Sequence, residues 1–117
     1  MELRVVRVTD RFDDACRLYG ELLGWPVTHE WDEDGRGRIF GQGDARIELM
    51  EAGDGDVVAP VTGVFVSVEH DDVVTLHERL AAAGVEVSQA LADQPWGHRN
   101  FGIVDPSGLT VVFFQWI

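Results

Sequence analysis

Apolar and polar residues alternate over residues 3–8, a period of two that predicts a strand. From Asp10 the period lengthens. Phe12, Ala15, Cys16, Tyr19, Leu22 and Leu23 recur at helical spacing, with Asp10 placed to cap the helix and Gly24 to stop it. Three short strands are predicted next, over residues 27–32, 38–42 and 45–51, parted by the tight-turn pairs Asp34-Gly35 and Gly43-Asp44. Residues 52–62 carry Gly53-Asp54-Gly55 and Pro60 and read as a linker.

The second half repeats this order. Residues 63–69 read as a strand, and Asp71 or Asp72 caps a helix that runs to Ala83 and stops at Gly84. Its inner face is Val73, Leu76, Leu80 and Ala83. Strands are predicted over residues 85–90, 99–104 and 109–116, the last two joined by the turn Asp105-Pro106-Ser107-Gly108. The expected fold class is therefore α+β, two βαβββ modules in one domain over residues 1–117. Module one is 1–52, the linker 53–62 and module two 63–117.

Composition narrows the function. The 117 residues are 45% apolar and 26% charged, the balance of one folded globular domain. No apolar run approaches the ~20 residues that cross a bilayer, and MELRVVRVTD lacks the layout of a signal peptide, so a cytoplasmic protein is expected. The single cysteine, Cys16, lies on the apolar stripe and reads as a reduced core residue. The formal charge of −12 repels phosphate backbones and anionic lipid, which argues against nucleic-acid and membrane partners and favours cations.

Three segments resemble a known family. DRFDDACRLYGELLGW (10–25) is similar to the first helix of the vicinal-oxygen-chelate superfamily, which embraces glyoxalases, bleomycin-resistance proteins and dioxygenases. DVVTLHERLAAAGV (72–85) resembles its second helix, and QPWGHRNFGIVDPSGLTVVFFQ (94–115) resembles the closing "PWGxRxF…DPxG" segment. The resemblance implies that each module curls its four strands around a concave groove. In the metalloenzyme branches, His and Glu side chains from the first and last strand of each module bind a divalent ion there, needing three or four converging donors.

The matching positions here are Leu3, Glu48, Phe65 (Val64 if the count slips by one) and Val112. Only Glu48 carries a donor, and one carboxylate does not hold a divalent ion against water. The sequence thus implies no metal and no cofactor. His29, His70, His77 and His98 are spread over different elements and read as surface or rim residues, and a displaced site using His98 with Glu48 has no third partner. Strand alternation turns Arg46, Glu48 and Met50, then Phe65, Ser67 and Glu69, then Val112, Phe114 and Trp116 toward the groove. Trp31, Phe40, Trp96, Arg99 and Phe101 are expected to complete its walls.

These residues suggest a site for a flat aromatic or cationic organic molecule, with Glu48 as partner for a ligand amine unless Arg46, Arg7 or Arg99 holds it. Aromatic residues alternating on strands also build cores, and both readings apply to each ring. The function expected is metal-free binding, such as drug sequestration, by a homodimer of the bleomycin-resistance kind. The alternatives are a lyase, isomerase or dioxygenase of the same superfamily working through Glu48, and an interaction domain without a ligand. No Cys–His pair and no phosphate-binding glycine loop points to other catalysis.

Overall fold

The computed structural model describes residues 1–117, and the chain divides into two compact units, Met1–Ala59 and Pro60–Ile117. In the first, β1 (Leu3–Thr9) leads into α1 (Phe12–Cys16), which continues as a π-wound stretch, Arg17–Leu22. β2 (Val27–Trp31), β3 (Gly37–Gln42) and β4 (Ala45–Glu51) follow. The second unit holds β5 (Phe65–Glu69), α2 (Val73–Ala82), β6 (Val87–Asp93), β7 (His98–Val104) and β8 (Thr110–Trp116). Each unit is a four-stranded mixed sheet, in the orders β1-β4-β3-β2 and β5-β8-β7-β6. First and last strands pair in parallel, and the remaining pairs are antiparallel. This is the α+β architecture of two βαβββ modules that the repeat implied. Neither helix is long and apolar enough to cross a membrane.

In each unit the helix covers one face of the sheet. Phe12, Ala15, Leu18 and Tyr19 are buried with Phe40, Ile47 and Leu49, and the Tyr19 and Phe40 rings lie 6.2 Å apart. In the second unit Val73, Leu76 and Leu80 are buried with Phe101, Ile103, Val111 and Phe113. There Phe101 meets the His77 ring edge-on at 5.1 Å and Phe113 at 5.4 Å.

The first helix departs from expectation. Asp10 does not cap it: Arg11 occupies the cap position and its side chain makes no capping bond, and the buried Thr9 hydroxyl accepts from the Arg11 amide at 3.0 Å. Beyond Cys16 the winding widens, so that the Leu23 amide donates to the Leu18 carbonyl at 2.9 Å, five residues back. Gly20 lies within this stretch against Phe40, whose Cε1 would stand 3.0 Å from a Cβ there. Cys16 is half-buried rather than core, and burial pushes its thiol pKa up. Arg36 fastens this helix to the sheet, donating to Asp13 at 2.8 Å and to Glu51 at 2.6 Å while its guanidinium lies 4.7 Å over the Phe12 ring.

The second helix starts as read. Asp72 caps it, accepting from the Thr75 amide at 3.1 Å and hydroxyl at 2.7 Å, and these bonds hold its carboxyl below the ordinary carboxylate range. β6 runs later than its expected span because register shifts between Val87 and Ala92 carry it on alongside β7. In the closing turn the buried Asp105 carboxylate accepts from the Ser107 amide (2.8 Å), the Ser107 hydroxyl (2.7 Å) and the Leu109 amide (3.0 Å). Gly108 adopts φ +87°, and a Cβ there would approach Pro60 Cα to 2.8 Å. The Asp-Pro-Ser-Gly motif is therefore structural.

Two outcomes are expected. Phe101→Ala removes a fully buried ring and should cost about 3–5 kcal/mol in denaturant unfolding, whereas a loss below ~1 kcal/mol would show that the ring is not core. Asp72→Ala should lower the melting temperature at neutral pH. Because the folded-state pKa of Asp72 is depressed, its contribution is present above the unfolded value and lost as pH falls through the folded one. Variant and native melts should therefore converge as the pH falls through that depressed value in acid.

Candidate functional site

A strand sends alternate side chains to opposite faces, so the residues under each helix fix which ones stand on the open face. In the first unit, register places Arg4 beside Arg46, Val6 beside Glu48 and Val8 beside Met50. β3 contributes Gly41, Ile39 and Gly37 to these rows, and β2 adds His29 and Trp31. Two glycines shape the surface. A Cβ on Gly37 would stand 1.9 Å from Trp31 Cζ2, and one on Gly41 would stand 2.9 Å from Arg46 Nη1. The indole and the guanidinium therefore lie flat on the strand, on either side of the buried Ile39.

Glu48 is not a lone charge. Arg4 Nη1 donates to its Oε1 at 3.0 Å. Arg4 was not among the partners the sequence suggested, because a parallel β1–β4 pairing has to be known before the two are seen as neighbours. Met50 and Trp31 stand on the open face as expected, both partly exposed. Phe40 does not: it aligns with Ile47 and packs under the helix against Tyr19.

The open face of the second unit carries Phe65, Ser67 and Glu69 from β5, and Val112, Phe114 and Trp116 from β8. His98, Asn100 and Gly102 come from β7. Phe65 is 63% exposed and Trp116 64%, whereas Val112 is buried. Trp96, 61% exposed, sits in the turn before β7. Arg99 and Phe101 belong to the other face, with Arg99 held by Asp93 at 2.7 Å and Phe101 beneath α2. Phe40, Arg99 and Phe101 are thus corrections to the expected walls, each turned to the helix side by the pleat.

The sequence undervalued His98. Its ring stacks on Phe114 at 4.3 Å and 17°, meets Trp116 edge-on at 4.2 Å and lies 6.4 Å from Trp96. Its Nε2 is buried with no hydrogen-bond partner. Beside it, Asn100 is 4% exposed and its Oδ1 accepts from both Gln89 and Gln94 at 3.0 Å. The face is an aromatic cluster edged by amides. The signal available in the sequence was the alternation His98, Asn100, Gly102, which shares a face with Phe114 and Trp116 once β7 and β8 are paired.

The family's metal positions can be tested on this geometry. Leu3 aligns with Ala45 and alternates onto the helix side, so the β1 residue facing Glu48 is Val6. On β5 the residue beside Val112 is Ser67, and Phe65 aligns with Thr110. No three His, Cys, Asp or Glu side chains are gathered anywhere in the structure. Glu48 is already engaged by a guanidinium, and these residues do not fit a divalent ion.

Comparison with known proteins agrees with the fold. The family model described as Glyoxalase/Bleomycin resistance protein/Dioxygenase superfamily matches residues 3–113. A glyoxalase/bleomycin resistance protein/dioxygenase from Nocardioides is 24% identical with a TM-score of 0.73, covering 100% of this chain and 83% of that one. TioX from Micromonospora sp. ML1 is 21% identical with a TM-score of 0.76, covering 100% and 99%. The fosfomycin resistance protein FosX from Listeria monocytogenes is 13% identical with a TM-score of 0.81, covering 100% and 91%. No protein of curated function matches the sequence.

Gly37→Ala tests the open face of the first unit. The added Cβ overlaps the indole, so the Trp31 indole N–H resonance is expected to shift strongly while those of Trp96 and Trp116 stay in place. An unmoved Trp31 signal would mean that the ring does not lie on the strand.

Proposed function

The chain belongs to the glyoxalase/bleomycin resistance protein/dioxygenase superfamily, and from that premise we propose that it binds a small aromatic organic molecule without a metal ion, sequestering it unchanged. The observation that carries this reading is the ring cluster of His98, Phe114 and Trp116 on the same face as the buried Val112, a position where metal-binding relatives need a donor, with Phe65 exposed further along that face. A planar ligand stacked on such rings gains about 0.5–1.5 kcal/mol per ring pair beyond the area it buries. Trp31, laid over Gly37, offers a further ring on the first unit.

Glu48 takes no catalytic part in this proposal. Its carboxylate is committed to Arg4, which leaves no unpaired charge for a ligand amine. The ligand is therefore aromatic, as the sequence suggests, and not cationic. It treats residues 1–117 as one ligand-binding domain, acting as a cytoplasmic homodimer. The neighbouring fosfomycin resistance fold is consistent with a protective role.

The test is a titration of the purified protein with planar aromatic antibiotics, followed by tryptophan fluorescence, with metal analysis of the same sample. Saturable quenching at substoichiometric metal is expected, and Trp116→Ala should weaken binding by roughly tenfold, the loss of about one stacked ring pair. One tightly held divalent ion per chain, or no quenching by any compound, would overturn the proposal.

A further inference from the structure

The open face of the first unit holds a carboxylate between two guanidiniums. Arg4 and Arg46 are direct cross-strand neighbours in the β1–β4 pair. Arg4 donates through Nε to Glu2 Oε2 at 2.9 Å and through Nη2 to the same oxygen. Arg46 Nε stands 3.9 Å from Glu2 Oε1. Together they hold the Glu2 carboxyl below the ordinary carboxylate range, the Arg4 hydrogen bond first, with His29 adding to the effect.

Arg46 does not depend on Glu2 for its position. Its Nη1 donates to the carbonyls of Gly43 at 2.6 Å and Ala45 at 2.8 Å, and Gly41 leaves room for the guanidinium to lie on the strand. Arg4 is likewise steadied by Glu48 on its other side. Without Glu2, two guanidiniums face the single carboxylate of Glu48, which leaves one net positive charge. Glu2 precedes β1, and its side chain is 41% exposed. It can leave without disturbing any pairing of the sheet. Along the same face the next rows are Ile39 with Glu48, then Trp31 with Met50.

We infer that Arg4 and Arg46 form a carboxylate-binding site on this face, that Glu2 occupies it as an internal stand-in, and that the ligand carries an organic carboxylate beside its aromatic ring. This rests on the aromatic-ligand reading above, taken at the Trp31 ring further along this same face of the first unit, and adds the ligand's polar end. Guanidinium groups favour carboxylates through paired, charge-assisted hydrogen bonds, so exchange of one carboxylate for another keeps the arginines satisfied. Glu2 then lowers the apparent affinity by the fraction of time it fills the site. The chain's charge of −12 opposes an anion at long range, but within contact distance the two arginines decide.

Calorimetry with three probes on the full chain tests this: 2-naphthoate, neutral 2-naphthamide and cationic 2-(aminomethyl)naphthalene. Naphthoate is expected to bind most tightly. Glu2→Gln should raise its affinity on the order of tenfold and leave naphthamide unchanged. Arg46→Gln should abolish the preference for naphthoate, and Arg4→Gln serves as the second variant should that protein unfold. Equal affinities for naphthoate and naphthamide in Glu2→Gln, or tighter binding of the amine, would overturn the carboxylate site while leaving the aromatic reading intact. Failure of all three probes would remove both.

Discussion

A pleated strand can show each side chain to one face only, and in both units a helix has claimed one of the two faces. Everything functional has to be made from what remains. Ile47 and Leu49 under the first helix fix Arg46, Glu48 and Met50 on the open side, and Phe113 under the second fixes Val112 and Phe114 there. The parallel pairing of the first and last strands then brings side chains together that lie far apart in the chain, such as Arg4 and Glu48.

That constraint explains why the two units, built on one plan, offer different chemistry. The first has charge at one end of its open face and an indole at the other, held flat by Gly41 and Gly37. The second gathers His98, Phe114 and Trp116 into a ring cluster, edged by the bonded amides of Asn100, Gln89 and Gln94. The positions that ligate a metal in the metalloenzyme branches hold Leu3 and an Arg4-paired Glu48 in one unit and Phe65 and Val112 in the other.

The sequence carried the architecture well, because period and punctuation are local. Gly24, Gly84 and the alternation of residues 45–51 set element ends and faces without knowledge of the rest of the chain. The faces of β4, β5 and β8 were legible for the same reason. β3 and β7 were not. Phe40, Arg99 and Phe101 look like wall residues until the register of the antiparallel pairs assigns them to the helix side. Glu48 was recognised as important but its partner was missed, since Arg4 lies 44 residues away and only strand order makes them adjacent. His98 looked ordinary because nothing local to it reveals a stacked ring.

Gly20 and Phe40 share one fixed volume, the ring standing 3.0 Å from where a glycine Cβ would be. A larger residue at the helix position collides with the ring, and a smaller one at the strand position opens a void. Neither site can drift alone without cost. Variation across descendants of this protein should therefore be correlated at these two positions, with bulk gained on the helix only where it is surrendered on the strand.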